Sequence, residues 1–200
     1  IVNENLKAEV LTTFKVNHLF VHRCQVVNGE VKVGDYAFAQ IDTARRAQIR
    51  VHHTSAHLLQ AALIKVLGDE VKQAGSQVEE NRMRFDFTFS RAMTPQEVKK
   101  TEDIMNKWIG EKLPVNTDVM GIEEAKLTGA TALFGEKYED VVRVVSIGGK
   151  AKCNCGSDCS CDHESGEEKE VISKEFCAGT HASNTADLRL VKIVSEGAIA

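Results

Sequence analysis

Between residues 6 and 41 the apolar positions come in short clusters: Ala8-Val10, Phe14-Val16, Leu19-Val21, Val31-Val33 and Tyr36-Ile41. They are rich in β-branched and aromatic residues, and Asn28-Gly29 and Gly34-Asp35 offer hairpin turns between several of them. This pattern predicts a small barrel or sandwich with hairpins, with no motif that carries chemistry. The period changes at Asp42-Thr43. From Arg45 to Leu67 the spacing is helical, with Leu58, Leu59, Ala62, Leu63 and Val66 on one side, and Gly68 ends the run. A hairpin-like stretch follows around Gln77-Val78 and Arg84-Phe89. There Phe85, Phe87 and Phe89 alternate with Arg84, Asp86 and Thr88, the period of a half-buried strand. Thr94-Pro95-Gln96-Glu97 then opens a helix, with Thr94 as N-cap, Pro95 at the first position and Glu97 closing a capping box. Val98, Met105, Trp108 and Ile109 form its buried face, and Pro114 ends it. A short helix at Ile122-Leu127, a strand at Val141-Ser146 and a final strand at Leu188-Val194 complete the reading.

Residues 148–170 fit no period. They are rich in Gly, Cys, Asp and Glu with almost no apolar side chains, so they cannot bury a core and are expected to form an exposed inserted loop. The fold class is therefore α+β. A small β-barrel at residues 1–42 precedes a mixed α/β domain at residues 43–200, with an antiparallel sheet and packed helices.

Composition narrows the class. The chain has 200 residues, 42% hydrophobic and 27% charged, which suits one or two globular cores. Aromatics make up only 6%, so aliphatic side chains must fill the interior. No apolar run approaches the roughly 20 residues of a membrane helix, and no signal peptide is visible. The chain opens on Ile1-Val2 rather than Met and is expected to be part of a longer protein. The net charge of −4 has the wrong sign for a dedicated nucleic-acid binder, which leaves Arg45, Arg46 and Arg50 as the visible basic cluster for any RNA contact. Four of the six cysteines crowd into Cys153–Cys161, too close together to staple a core. Metal binding in a reducing, cytoplasmic compartment explains them better than disulfides.

Two half-sites carry the chemistry. His53 and His57 are four apart in a helical stretch, which places both imidazoles on one face, one turn apart. Taken alone, such a pair also reads as surface or capping histidines. Far downstream, Cys177-Ala178-Gly179-Thr180-His181 repeats the spacing with a thiol and an imidazole, ligand types that suit zinc. Together they predict one shared zinc site at His53, His57, Cys177 and His181. A second metal site, for zinc or Cu(I), is expected at Cys153, Cys155, Cys159, Cys161 and His163 in the inserted loop, with an acidic loop carrying incidental thiols as the alternative.

His53-Thr54-Ser55-Ala56-His57-Leu58-Leu59 with Cys177-Ala178-Gly179-Thr180-His181 resembles the HxxxH…CxxxH pair of the alanyl-tRNA synthetase editing domain. That domain is shared with free-standing alanyl-tRNA deacylases and, in diverged form, with threonyl-tRNA synthetases. Arg84-Phe85-Asp86-Phe87, Ala132-Leu133-Phe134-Gly135-Glu136-Lys137-Tyr138 and Val191-Lys192-Ile193-Val194-Ser195-Glu196-Gly197 favour the alanine branch. Val33-Gly34-Asp35 and Arg45-Arg46 resemble the barrel that precedes this domain in the synthetase. The resemblance implies hydrolysis of tRNA(Ala) wrongly esterified with serine or glycine, within a parent enzyme that joins alanine to tRNA(Ala) using ATP. The need is physical: a pocket for alanine excludes the smaller glycine poorly, and an added hydroxyl is typically rejected only ~10²-fold.

By the same resemblance, Gln73, Gly75 and Ser76 fall where the family lines its editing pocket, and Thr54, Ser55 and Thr180 lie within the zinc motifs. Polar residues of these kinds also serve as caps and turn formers. The chain departs from the family at Ala56, where Thr is common, and at Ala178, where the family commonly has CGGTH. Two other readings stand beside the editing hydrolase: a free-standing aminoacyl-tRNA deacylase, and a zinc-stabilised RNA-binding module without catalysis.

Overall fold

The computed structural model describes residues 1–17, 19–132, 138–152 and 168–198. The chain divides into two compact units, Ile1–Thr43 and Ala44–Ala200. The first is an antiparallel sheet of β1 (Val2–Asn3), β2 (Leu6–Val16) and β3 (Leu19–Gly29), in that order. The runs Ala8-Val10, Phe14-Val16 and Leu19-Val21 are parts of two long strands, paired from Val16↔Leu19 out to Leu6↔Gly29. The sheet does not close into the expected barrel. Val31-Val33 and Tyr36-Ile41 form no strand; the segment bridges back only between Phe38 and Val2, with the Asn3 side chain donating to the Tyr36 carbonyl. β3 is an edge strand, and no described residue pairs with its outer side.

The second unit begins with α1 (Thr43–Leu67), then the hairpin of β4 (Lys72–Val78) and β5 (Met83–Thr88), and α2 (Pro95–Gly110). α2 starts as its sequence requires. Thr94 accepts from the Glu97 amide, the Glu97 carboxylate accepts from the Thr94 amide, and Pro95 occupies the first turn. β6 (Val115–Gly121), α3 (Ile122–Leu127), β7 (Val141–Gly149) and β8 (Lys169–Phe176) follow, with β7 central in an antiparallel sheet of order β6-β7-β8. Gly148 marks an irregularity in the β7–β8 ladder; its φ is +101°, and a methyl group there would run into the Glu170 carbonyl.

β7 is buried on both faces, and its alternation divides the core. Val145 and Ile147 join Leu58, Ala62, Met105, Trp108, Ile109, Leu113 and Val115 from α1, α2 and the start of β6. Val142 and Val144 lie with Ala125 and Phe176 on the other face. A third cluster of Leu63, Val71 and Met93 is packed with Phe85, Phe87 and Phe89 of the hairpin side. α1 thus has the main core along one flank, which leaves its N-terminal half to carry the histidines.

The strand expected at Leu188-Val194 is absent. Thr185–Leu188 is a 3-10 turn, and the segment after it is irregular. Side chains of α2 take the place of a partner strand: Asn106 bonds both the amide and the carbonyl of Val191, at 2.9 Å each, and Glu102 accepts from the Ile193 amide. Two strands escaped the hydrophobic pattern. β6 carries Asn116, Thr117 and Asp118 among its apolar residues, and β8 begins inside the span expected as loop.

Candidate metal centre

Four side chains converge where α1 meets the segment after β8. His53 and His57 come from consecutive turns of α1, and Cys177 and His181 from the turn that follows β8. Their ligand atoms all lie within 4.8 Å of one another. Cys177 Sγ is 3.4 Å from His53 Nε2 and 3.3 Å from His181 Nε2. Tetrahedral bonds of ~2.0–2.3 Å set ligand atoms roughly 3.3–3.8 Å apart, so the two sulfur–nitrogen spacings suit a single metal ion. Three imidazoles and one thiolate are also a donor set that suits zinc.

The local chain explains the convergence. The i, i+4 spacing stacks His53 and His57 on one face of α1, with ring centroids 5.4 Å apart. The His181 ring closes the group, 4.3 Å from the ring of His53 and 4.8 Å from that of His57. Backbone bonds fix the Cys177–His181 turn. The Cys177 amide donates to the Arg143 carbonyl at 2.9 Å, the Arg143 guanidinium donates to the Gly179 carbonyl, and Arg50 Nε donates to the His181 carbonyl. Gly179 lies directly against the His53 ring, where any β-carbon would overlap the imidazole.

Behind the four lies a second layer. Thr54 is fully buried; its hydroxyl donates to the Arg50 carbonyl at 3.0 Å, accepts from the Ala182 amide at 3.0 Å, and sits 3.3 Å from His181 Nδ1. Glu175, 8% exposed, places Oε2 2.7 Å from His57 Nδ1, and Ser173 donates to its Oε1 at 2.8 Å. The Glu175–His57 approach is short but lies off the ring's N–H direction, so charge proximity outweighs an aligned hydrogen bond there. Burial pushes the Cys177 thiol up, but bonds from His181, His53 and His57 bring it down to about 3, so the sulfur is a thiolate. Burial pulls the His57 imidazole down, and Cys177 and Glu175 together raise it to about 9. Without metal the cluster is an imidazolium–thiolate pair, and a cation entering it displaces a proton.

Other predicted residues fall outside this cluster. Gln73 donates to Ser76 at 3.1 Å within β4, and no bond among the described residues joins either to the metal ligands. Gly75 faces Asp86 across the hairpin. Ser55 is buried and turned back on α1, donating to the Val51 carbonyl at 3.0 Å, and Ala56 is buried beside it. Thr54, expected to offer its hydroxyl to a pocket, has that hydroxyl taken up behind His181. Of the basic cluster, Arg45 pairs with Glu80 at 3.4 Å and Arg50 supports the His181 carbonyl. Cys153, Cys155, Cys159, Cys161 and His163 lie outside the described residues, as does the core of the Ala132–Tyr138 motif. Glu175, Ser173 and Arg143 escaped the sequence reading. Glu175 left a signal, since an acid two residues before a ligand at the end of a strand shares its face.

Comparison with known proteins shows what the chain is similar to. Residues 142–200 match the family described as the threonyl and alanyl tRNA synthetase second additional domain. An alanine–tRNA ligase from a Synechococcus species is 45% identical over 186 residues, and one from Thermosynechococcus vestitus is 42% identical over 186 residues. Along nearly its whole length the chain is similar to one stretch of alanyl-tRNA synthetases. The match covers 93% of the chain and 19% of each relative, so the chain corresponds to about a fifth of an alanyl-tRNA synthetase's length. Both motifs of the candidate centre lie on different sides of the residue 142 boundary, which joins the α1 histidines to the second additional domain in space. No helix among the described residues is long and apolar enough to cross a membrane.

Proposed function

We propose that this chain is the editing part of an alanine–tRNA ligase and hydrolyses the ester of Ser-tRNA(Ala) and Gly-tRNA(Ala). The observation that carries the reading is the convergence of His53, His57, Cys177 and His181 within 4.8 Å in a chain with this similarity. Water adds to the ester carbonyl, the bond to the tRNA ribose oxygen breaks, and free amino acid and tRNA(Ala) leave. Those four residues would hold one zinc ion, which when bound supplies fixed positive charge and Lewis acidity beside the ester. The remaining work belongs to the chain. Cys177 contributes a thiolate already formed before metal arrives, and the Arg143 and Arg50 bonds keep its turn from opening. Gln73 and Ser76, on the neighbouring hairpin, are the groups proposed to read the serine hydroxyl. An alanyl ester leaves such groups unpaired, a penalty of ~1–3 kcal/mol.

The rest of the reading follows from that similarity. The parent enzyme would join alanine to tRNA(Ala) with ATP, outside this stretch of chain. Residues 1–42, with their open three-stranded sheet, and the editing residues 43–200 would be separate domains. With Arg45 and Arg50 engaged in internal contacts, much of the grip on tRNA would come from elsewhere in the synthetase. The test compares the zinc-loaded chain on Ser-tRNA(Ala) and Ala-tRNA(Ala). Serine should be released faster than alanine, and Cys177→Ala should reduce the serine reaction. Hydrolysis of neither ester above the buffer rate would refute the proposal. Equal rates would remove the selectivity and point first to Ala56.

A further inference from the structure

Glu175 is difficult to explain by the fold alone. It is a carboxylate at 8% exposure, and among the described residues no Lys or Arg pairs with it. Burying an ion costs several kcal/mol unless its partners are excellent. A leucine in the same place would serve the sheet better. Its two partners are the Ser173 hydroxyl and the outward nitrogen of a buried histidine. Thr54 poses the same question on the other side of the cluster: a fully buried hydroxyl facing the outward nitrogen of His181.

We propose that Glu175 and Thr54 are positioning residues that hold the His57 and His181 rings with a proton on Nδ1, so that both Nε2 atoms face the metal. A count of protons carries the argument. A hydroxyl has one proton to give and two lone pairs to receive. The Thr54 proton goes to the Arg50 carbonyl, so toward Ala182 N–H and His181 Nδ1 the oxygen only accepts. His181 must therefore carry its proton on Nδ1, and its Nε2, 3.3 Å from Cys177 Sγ, is the free donor atom. On the other side, Ser173 gives its proton to Glu175 Oε1, which leaves Oε2 as the acceptor 2.7 Å from His57 Nδ1. A carboxylate oxygen at that range would repel the lone pair of an unprotonated ring nitrogen, so Nδ1 of His57 carries a proton too, held by charge proximity rather than by an aligned hydrogen bond. The two devices differ in kind. Glu175 adds negative charge behind its ring and strengthens the ring as a donor, whereas Thr54 supplies orientation without charge. Outer partners of this type are typically worth 10–100-fold in metal affinity.

This inference rests on the proposed metal site, and the experiment separates the two. Zinc affinity of the full chain is measured by competition with a chromophoric chelator for wild type, Glu175→Gln, Glu175→Leu, Thr54→Val and Thr54→Ser. Circular dichroism and thermal unfolding establish which variants are folded. Glu175→Leu and Thr54→Val should each weaken zinc binding by roughly 10–100-fold. Glu175→Gln, which keeps an acceptor and loses the charge, should fall between Leu and wild type, and Thr54→Ser should bind like the wild type. Long-range proton–nitrogen NMR of the metal-free chain should show His181 as the Nδ1–H form in wild type and Thr54→Ser, and lose that preference in Thr54→Val. Should the Leu or Val variant not fold, Glu175→Gln and the NMR of wild-type His181 carry the test. Wild-type affinity in folded Glu175→Gln, Glu175→Leu and Thr54→Val, or an Nε2–H form of His181 in the wild type, would overturn the inference while leaving the site intact. A wild-type chain that binds no zinc would bring down the metal reading itself, and this inference with it.

Discussion

Gly179→Ala is the smallest change that tests the geometry of the cluster. The φ of Gly179 is not positive, so backbone strain plays no part. The requirement is space: the added methyl would overlap Cε1 and Nδ1 of His53 and stand 3.3 Å from Nε2. Carbon atoms rest at ~3.5–4.0 Å from such neighbours, so ring and methyl must separate by more than ~1 Å. The turn cannot easily yield, because Arg143 holds the Gly179 carbonyl, Arg50 the His181 carbonyl and Thr54 the Ala182 amide. His53 is only half buried, and its ring can swing outward at a rotamer cost of about 0.5–1.5 kcal/mol. Metal–ligand distances, by contrast, tolerate shifts of only ~0.2 Å. The variant should therefore fold with nearly unchanged stability but lose one of four ligands. Its zinc affinity should drop by more than ~100-fold, beyond the upper end of what outer partners cost. Chelator competition gives the affinity, and X-ray absorption of the zinc-loaded protein gives the ligand count, expected to fall from three nitrogens and one sulfur to two and one. An unchanged affinity with His53 still bound would refute the reasoning. The adjacent Ala178, exposed, shows that a methyl is tolerated one residue away.

Other expectations follow from the same structure. Leu58→Ala, at a fully buried position of the main core, should destabilise the chain by about 3–5 kcal/mol in urea unfolding. Thr94→Ala removes the cap of α2 and should cost ~1 kcal/mol by the same measurement. The Arg91 bond, with the Thr94 amide, holds the Glu97 carboxyl at about 2, below its ordinary 4.5. Its contribution is present above pH 4.5 and lost as pH falls toward 2, so Glu97→Gln should make the acid limb of a pH–stability profile shallower over that window. Chelation of zinc from the loaded chain should lower its thermal midpoint, and readdition of zinc should restore it.

The sequence disclosed some of these features and hid others for identifiable reasons. α1, α2 and α3 were legible because each presents an apolar face, and Thr94 with Glu97 marks the start of α2. The two metal half-sites were legible because each is a local i, i+4 pair; their meeting required the fold. β6 was hidden because Asn116 and Asp118 interrupt its alternation, and Asn116 is in fact buried, bonding the Gly148 and Lys150 carbonyls. The stretch Leu188-Val194 looked like a strand because a β-like composition does not show what will satisfy its backbone, here Asn106 and Glu102. The closed barrel failed for the opposite reason. Val31-Val33 has the residues of a strand but pairs with none of the described strands, and Phe38 alone bridges back to Val2. The partners of Glu175 and Thr54 were hidden because they lie more than a hundred positions away, although the place of Glu175 two residues before Cys177 was a signal.

That separation has a consequence for how the site comes into being. His53 and Cys177 are 124 residues apart. A ribosome adding ~5–20 residues per second leaves the two histidines of α1 exposed for roughly 6–25 seconds before the thiolate is made. During that interval the nascent helix is a bare pair of imidazoles, a binder with no thiolate to favour zinc and an affinity order led by copper. Choice among metals is thus deferred to the last residues of the site to be synthesised. On the proposed zinc reading, a premature guest would have to be displaced when the Cys177 turn closes, and the delivery of zinc would become a matter of timing as well as affinity.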